Sequence, residues 1–265
     1  MSFSDNPIGV FDSGVGGLTV ARAIKDLLPN ERIVYFGDTL HLPYGEKSSN
    51  SIIRYSKQIT QFLLDQNCKA IVIACNSASA HAFEATKEIV PENLPVINVI
   101  DPVVECVKSD FSQNNIGVIG TKATIRSEVY QNRVKPVQIS ALETPLLAAM
   151  VEEGFLHDSV SKSVVAAYLS KKELAGIDTI ILGCTHYPLL EKEILAFYSN
   201  QVSIIDSGKL VALELKKQLL EKDLVNTIEG VKKDAFFVSD YTSSFEQITS
   251  SFFGSEISLR ELKIT

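Results

Sequence analysis

The chain has 265 residues, of which 45% are hydrophobic and 22% are charged. This is ordinary globular usage, which excludes the disordered and fibrous classes, and the length suits two α/β lobes. A net charge of −7 argues against a surface that binds nucleic acid or an anionic membrane. We therefore expect no nucleic-acid partner and no membrane partner.

The N-terminal segment and the cysteines both indicate the cellular compartment in which the protein works. Residues 1–7 have neither the basic start nor the apolar core of a signal peptide. Apolar runs such as residues 70–75 are too short to span a bilayer. The chain has four cysteines and no Cys-x-x-Cys pair, which does not make a disulfide framework. The sequence predicts a cytoplasmic protein whose functional cysteines act as thiols.

Short β-branched runs alternate along the chain with segments of helical periodicity, as is typical of βα units around parallel sheets. The runs predict strands at residues 8–11, 33–36, 70–74, 96–100, 116–119, 179–182, 202–205, 235–239 and 257–262. Apolar residues spaced by three or four predict helices at residues 17–28, 52–66, 77–90, 144–153, 159–172 and 189–198.

An internal repeat organises these elements. Ile-Gly-Val-Phe-Asp-Ser at residues 8–13 matches Ile-Gly-Val-Ile-Gly-Thr at residues 116–121, an offset of 108 from 8 to 116. Residues 70–77, which contain Cys75, match residues 179–186, which contain Cys184, an offset of 109 from 75 to 184. Two landmarks that recur at nearly one spacing indicate two related halves.

We therefore predict an α/β protein of two pseudo-symmetric lobes, each a mostly parallel sheet flanked by helices, with the active site in the cleft between them. The chain crosses between lobes near Asp101-Pro102 and returns near Asp206-Ser207. The predicted first lobe is residues 1–98 and 207–265, and the second is residues 99–206.

Polar residues follow several predicted strands, at the sheet edge where ligands bind in α/β proteins. If the lobes face each other, Cys75 and Cys184 point into one cleft from opposite sides. Inverting a carbon centre needs such a pair, because one group removes a proton from one face while the other delivers a proton to the opposite face. A thiol suits this task, since a helix N-terminus readily lowers its pKa.

Neighbouring residues supply the remaining chemistry. Asn76, Ser77 and Thr185 offer hydrogen bonds to substrate carboxylates, and Asp12 and His186 lie near enough in the predicted fold to tune the thiols. The other two cysteines, Cys68 and Cys106, lack a repeat partner and a polar cluster and are predicted to be structural.

The sequence offers two further site types, a zinc site and a dinucleotide loop. A zinc site from Cys75, His81, Cys184 and His186 lacks the close-spaced ligand pair that zinc sites usually show. The Gly14-Val-Gly16-Gly17 run resembles a dinucleotide loop, but Thr19 stands where Gly or Ala belongs. The glycines are better explained by backbone N–H groups that approach a carboxylate. We expect neither a metal nor a cofactor.

Taken together, these motifs resemble the glutamate racemases. The matching segments are Phe-Asp-Ser-Gly-Val-Gly-Gly at 11–17, Gly-Asp at 37–38, Pro-Tyr-Gly at 43–45, Ala-Cys-Asn at 74–76, Ile-Gly-Val-Ile-Gly-Thr at 116–121, Val-Glu-Glu-Gly at 151–154, Leu-Gly-Cys-Thr-His-Tyr-Pro at 182–188 and Ile-Asp-Ser-Gly at 205–208. They run in family order over most of the chain.

The resemblance implies racemisation of L- and D-glutamate without metal or pyridoxal phosphate, supplying D-glutamate for peptidoglycan. It implies that Cys75 handles the proton of D-glutamate and Cys184 that of L-glutamate, with Asp12, His186 and Glu152 as supporting ionisable residues. The substrate-binding residues implied are Asp12, Ser13, Pro43, Tyr44, Gly45, Asn76, Ser77, Thr121, Thr185 and His186.

The sequence departs from the family pattern at two positions, and it leaves alternatives open. Ser77 stands where Thr is usual, which keeps the hydroxyl, and Asp101 stands where Glu is usual before Pro102. The alternatives are a racemase of aspartate or another acidic amino acid, a two-lobed protein that binds an amino acid without chemistry, and a nucleotide-binding α/β protein. Oligomeric state, a homodimer included, is not determined by the sequence.

Overall fold

Ten strands form two separate sheets in the computed structural model, which describes residues 3–226 and 233–264. Each pairing recorded between neighbouring strands is parallel. The strands are β1 (Ile8–Asp12), β2 (Ile33–Gly37), β3 (Ala70–Ile73), β4 (Val96–Asn98), β5 (Ile116–Gly120), β6 (Ile139–Glu143), β7 (Thr179–Gly183), β8 (Ser203–Ile205), β9 (Ala235–Val238) and β10 (Leu259–Glu261).

Helices connect and flank these strands. They are α1 (Leu18–Leu27), α2 (Ser49–Asp65), α3 (Asn76–Lys87), α4 (Asp101–Asp110), α5 (Lys122–Arg126), α6 (Val129–Arg133), α7 (Pro145–Glu152), α8 (Ser159–Leu169), α9 (Glu191–Phe197), α10 (Ser207–Glu221) and α11 (Ser243–Phe253). No helix within the described residues is both long enough and apolar enough to cross a membrane.

The strand order of the two sheets confirms the fold expected from the repeat. The first sheet has the order β10-β9-β2-β1-β3-β4 and the second has β6-β5-β7-β8. Four strands of the first sheet, β2-β1-β3-β4, therefore match the whole second sheet. The register agrees as well, because Ile8 lies opposite Ala70 and its repeat equivalent Ile116 lies opposite Thr179.

The central strands of both sheets are buried along their whole length. Every residue of β1, β2, β3, β5 and β7 is buried. Helices that cover both faces of a parallel sheet produce this pattern, which is why these strands appear in the sequence as continuous apolar runs. Fully burying one such Ile or Val side chain contributes about 1.5–3 kcal/mol.

Helices α4 and α10 begin where the chain passes between the sheets. The first sheet takes strands from residues 8–98 and 235–261, and the second from residues 116–205. Helix α10 starts with the Asp206 carboxylate accepting the Gly208 N–H at 3.0 Å, and it packs against α4. The lobe boundaries at residues 98/99 and 206/207 stay a prediction.

Several elements differ from the sequence-based expectation. Strand β6 and helices α4, α5, α6, α10 and α11 were not predicted. Strand β6 is only partly buried, so it lacks a continuous apolar run. The predicted helix at 189–198 begins two residues later, because a 3-10 turn at Tyr187–Leu190 precedes it.

Candidate active site

The predicted site residues meet around one cavity of about 270 Å³ at the carboxyl ends of the strands. Both Cys75 and Cys184 line it, one after β3 and the other after β7. The other predicted site residues that line the cavity are Ser13, Pro43, Tyr44, Gly45, Asn76, Ser77, Thr121, Glu152, Thr185 and His186. Asp12, in contrast, is not among the lining residues.

Cys75 is the N-cap of α3. Its Sγ accepts a hydrogen bond from the Ala78 N–H at 3.4 Å and lies 3.6 Å from Ser13 Oγ. Burial, together with the negative charge of Asp12, raises the pKa of the Cys75 thiol to about 12. The lowering expected from the helix N-terminus is therefore outweighed, and Cys75 is held as a neutral thiol.

Asp12 is the last residue of β1 and immediately precedes Ser13, which lines the cavity. Its Oδ2 accepts the Gly14 N–H at 2.9 Å. Its Oδ1 is buried and has no hydrogen-bond partner in the part of the chain that the structure describes. Burial raises the pKa of Asp12, although the charge of His186 opposes this shift. Asp12 is thus a buried carboxyl group with one free acceptor oxygen. It lies close enough to Cys75 for its negative charge to raise the pKa of that thiol.

Two glycines allow the start of α1 to approach both sides of the site. A Cβ at Gly16 would lie 2.4 Å from His186 Cε1, and a Cβ at Gly17 would lie 2.5 Å from Asp12 Cβ. Real Cβ atoms do not approach other atoms so closely, so any side chain here would displace these residues. Close backbone packing against Asp12 and His186 accounts for the Gly-Val-Gly-Gly run.

Cys184 has a different set of neighbours from Cys75. Its Sγ lies 3.6 Å from Nδ1 of His186, and Nε2 of His186 lies 2.9 Å from Oε1 of Glu152. Burial would lower the pKa of His186, but negative charge at Cys184 and the Glu152 carboxylate raise it well above its usual range. The sulfur of Cys184 therefore lies beside an imidazole that is itself held by a carboxylate, whereas the sulfur of Cys75 lies beside a serine hydroxyl.

Hydroxyl groups from the starts of α3 and α5 meet at the cavity. Ser77 Oγ lies 2.9 Å from Thr121 Oγ1, and both hydroxyls contact Thr124 Oγ1, at 3.4 and 3.1 Å. Tyr44 also lines the cavity, but its hydroxyl donates to Asp38 Oδ2 at 2.6 Å. Burial and the Asp38 charge raise the pKa of Tyr44, so it remains a phenol. The hydroxyl cluster can donate to an anionic group such as a carboxylate.

Six residues that the sequence did not single out also line the cavity, namely Leu42, Glu46, Lys122, Pro145, Ala148 and Ala149. Lys122 Nζ lies 3.1 Å from Glu46 Oε1, which joins the two halves at the cavity. The repeat gave no signal for Lys122, because Gly14, which it matches, does not line the cavity. The apolar residues of α7 carry no signal either.

The positions of the ionisable residues can be compared with the zinc site of Cys75, His81, Cys184 and His186 that the sequence left as an alternative. Within residues 3–226 and 233–264, no three His, Cys, Asp or Glu side chains are grouped so as to hold a metal ion. His81 instead contacts the Ala123 carbonyl at 3.1 Å and Ser49 Oγ at 3.0 Å. The His81 ring therefore contacts Ser49 and Ala123, and neither residue belongs to that zinc site.

Comparison with known proteins identifies the family. The family model of Asp/Glu/hydantoin racemases matches residues 16–215. The chain belongs to this family. A relative named glutamate racemase from Persephonella marina is 41% identical, and the alignment covers 97% of each chain.

Solved structures of this racemase family show the same fold. Glutamate racemase from Francisella tularensis, in complex with D-glutamate, superposes with a TM-score of 0.91 at 36% identity over 98% of both chains. Glutamate racemase from Thermus thermophilus, in complex with β-chloro-D-alanine, gives 0.88 at 36% identity over 98% of both chains. The two-lobed α/β fold of this family member is therefore established.

Proposed function

We propose that this protein is a cofactor-independent glutamate racemase that interconverts L- and D-glutamate by two-thiol proton transfer. One observation carries the proposal: sulfur atoms from equivalent strand ends, Cys75 and Cys184, line a single cavity of about 270 Å³. The similarity to relatives named glutamate racemase supports glutamate as the substrate.

The different surroundings of the sulfurs support a division of labour. In the direction from L- to D-glutamate, the Cys184 thiolate takes the α-proton and becomes a thiol. The Cys75 thiol then delivers its own proton to the opposite face and becomes a thiolate. In the reverse direction Cys75 is the base and Cys184 the acid. One proton leaves and one arrives, so neither an oxidant nor a metal is required.

The other predicted site residues have roles that suit a dianionic amino acid. We assign substrate binding to Ser13, Pro43, Tyr44, Gly45, Asn76, Ser77, Thr121, Thr185 and His186. Asp12 has a free acceptor, which suits the positive α-ammonium group of glutamate. That ammonium would also counter the charge that raises the pKa of Cys75. His186 and Glu152 support Cys184.

The proposed biological role is to supply D-glutamate for peptidoglycan, in the cytoplasm. The site is proposed to lie in the cleft between the lobe of residues 1–98 and 207–265 and the lobe of residues 99–206. The side chains that line the cavity come from both of these ranges.

Solvent-deuterium exchange at the α-carbon tests this function. Protein dialysed against a chelator is given L- or D-glutamate in deuterium oxide, and inversion is followed by circular dichroism and α-hydrogen loss by NMR. We expect both enantiomers to invert with deuterium incorporation. Faster turnover of aspartate would indicate a racemase of another acid, and binding without exchange would indicate a binding protein.

A further inference from the structure

A buried hydrogen bond connects the two halves of the molecule beside the cavity. The Tyr130 hydroxyl, on α6, donates to Asn76 Oδ1, at the start of α3, at 2.8 Å. Tyr130 is 1% exposed and Asn76 is 2% exposed. Asn76 lines the cavity whereas Tyr130 does not.

The donor end of the same amide is unused. Asn76 Nδ2 is buried and has no hydrogen-bond partner among the described residues. A buried amino group without an acceptor is costly, because it has given up its hydrogen bonds to water, and an acceptor supplied by a ligand would remove that cost. Since Tyr130 holds the oxygen end, the amino end is the part of the side chain that remains for an acceptor in the cavity.

The hydroxyl of Tyr130 determines which way the amide faces. A carboxamide can rotate by 180°, which exchanges its oxygen and its amino group. After that rotation the Tyr130 O–H would lose its acceptor, and the Asn76 oxygen would meet a carboxylate of the substrate. Burial and negative charge at Cys184 raise the pKa of Tyr130, although Arg133 opposes the shift, so the hydroxyl keeps the proton that it donates.

The helix that carries Tyr130 also contacts the start of α4 through an ion pair. Arg133, one turn further along α6, forms an ion pair with Asp101 at the first turn of α4. Asp101 is one of the two positions at which this chain departs from the glutamate racemase pattern, and this ion pair gives it a structural role. The pair anchors α6 at the crossover between the sheets.

We propose that Tyr130 is a positioning residue that orients the Asn76 carboxamide so that its amino group binds a carboxylate of the substrate. This inference rests on the proposed function, because it assigns Tyr130 a role at the same site. Tyr130 does not itself touch the substrate. It acts by selecting one of the two orientations of Asn76.

The first test is Tyr130→Phe, which keeps the ring and removes the hydroxyl. Losing one oriented hydrogen bond should raise KM about tenfold for both enantiomers, with kcat changed less than threefold, because the contact binds ground state and transition state alike. An unchanged KM would overturn the proposal. Tyr241→Phe is the matched control, since it removes an exposed phenol hydrogen bond to Glu246 and should leave KM unchanged.

A double-mutant cycle separates orientation from general structure. In an Asn76→Ala background no amide remains to be oriented, so adding Tyr130→Phe should change KM less than twofold. The same tenfold effect in that background would show that Tyr130 acts through other contacts and would overturn the proposal.

Asn76→Asp tests the proposal without altering Tyr130, and so serves if Tyr130→Phe does not fold. The aspartate would turn an acceptor oxygen toward the substrate, so KM should rise further than in Asn76→Ala. Binding as tight as in the unsubstituted protein would contradict the inference. Failure of the unsubstituted protein to racemise glutamate would instead contradict the proposed function, so the two outcomes are distinguishable.

Discussion

Cys75 and Cys184 follow equivalent strands of the repeat, β3 and β7, yet different groups contact the two sulfurs. A backbone N–H and a serine hydroxyl contact Cys75. The His186 imidazole, itself bound to Glu152, contacts Cys184. Burial and a nearby carboxylate raise the pKa of Cys75 to about 12, whereas the ring next to Cys184 is one whose own pKa is raised well above its usual range.

This difference shows that the repeat and the local residues determine separate properties of the site. The repeat places the sulfurs, because β3 and β7 hold the same register against β1 and β5. The local residues raise the pKa of Cys75 and place an imidazole beside Cys184. Racemisation needs one base and one acid at a time. The two sulfurs, which the repeat places alike, differ in the groups that contact them.

The largest expected effect comes from removing either sulfur. Cys75→Ala and Cys184→Ala should each lower racemisation by at least about 10³-fold, since each deletes an acid/base group. Polarimetry or circular dichroism at saturating glutamate measures the loss. Cys106→Ala is the control, because Cys106 lies outside the cavity. Full activity in either active-site variant would remove the two-thiol mechanism.

His186→Asn should lower kcat/KM about 10²-fold, since it removes the group that supports the Cys184 thiolate. The loss must be equal for both enantiomers, because L- and D-glutamate have the same free energy and the equilibrium constant is fixed at unity. The asymmetry therefore appears in isotope effects. Proton transfer at Cys184 becomes more rate-limiting, so the effect with α-deuterated L-glutamate should increase.

With α-deuterated D-glutamate the isotope effect in His186→Asn should decrease, because deuterium is then removed at Cys75, away from the slowed step. Equal changes for both enantiomers would mean that His186 supports both sulfurs alike and would refute the assigned asymmetry.

Asp12→Asn should increase the reactivity of the Cys75 thiol and decrease the rate of racemisation. The Asp12 charge raises the pKa of Cys75, so its removal should speed alkylation of Cys75 by iodoacetamide at pH 8, read residue by residue by mass spectrometry. Racemisation should fall about tenfold because the acceptor proposed for the α-ammonium group is altered. Asp26→Asn, on the exposed face of α1, is the control. Slower alkylation would contradict the electrostatic account.

The sequence predicts the strands and the sulfur positions well, for a physical reason. Strands such as β3 and β7 are buried on both faces, so local composition alone marks them, and the repeat then relates Cys75 to Cys184. Partly buried β6 has no such mark, and only the structure shows that its Ile139 pairs with Ile116 as Ile33 pairs with Ile8. Glu152 was expected only from the family resemblance.

Contacts between distant segments were beyond prediction. Tyr130 and Asn76 are 54 residues apart, and their hydrogen bond depends on how the two sheets face each other. That Ser13 lines the cavity and Asp12 does not depends on the path of the chain after β1. The direction of the Cys75 pKa shift follows from burial, which a helix N-terminus in the sequence does not reveal.

Glu152→Gln is expected to have the smallest effect on racemisation. Its pH profile tests whether Glu152 raises the pKa of His186. Glu152 helps to raise the pKa of His186, so the variant should lose imidazolium at lower pH. We expect kcat/KM to fall several-fold, as for one charge-assisted hydrogen bond, with its alkaline limb shifted toward neutral pH. Glu153→Gln, the exposed neighbour at the end of α7, should show no shift.

Glu152→Gln should also lower the thermal stability of the protein, and the size of the loss should depend on pH. A group whose pKa is raised on folding stabilises the folded protein below its unfolded pKa, about 6.5 for histidine, and this stabilisation is lost as pH rises through the folded value. Glu152→Gln should therefore lower Tm more at pH 6 than at pH 10, measured by differential scanning calorimetry. An equal decrease at both pH values would show that Glu152 acts by packing, leaving the protonation of His186 to the Cys184 sulfur alone.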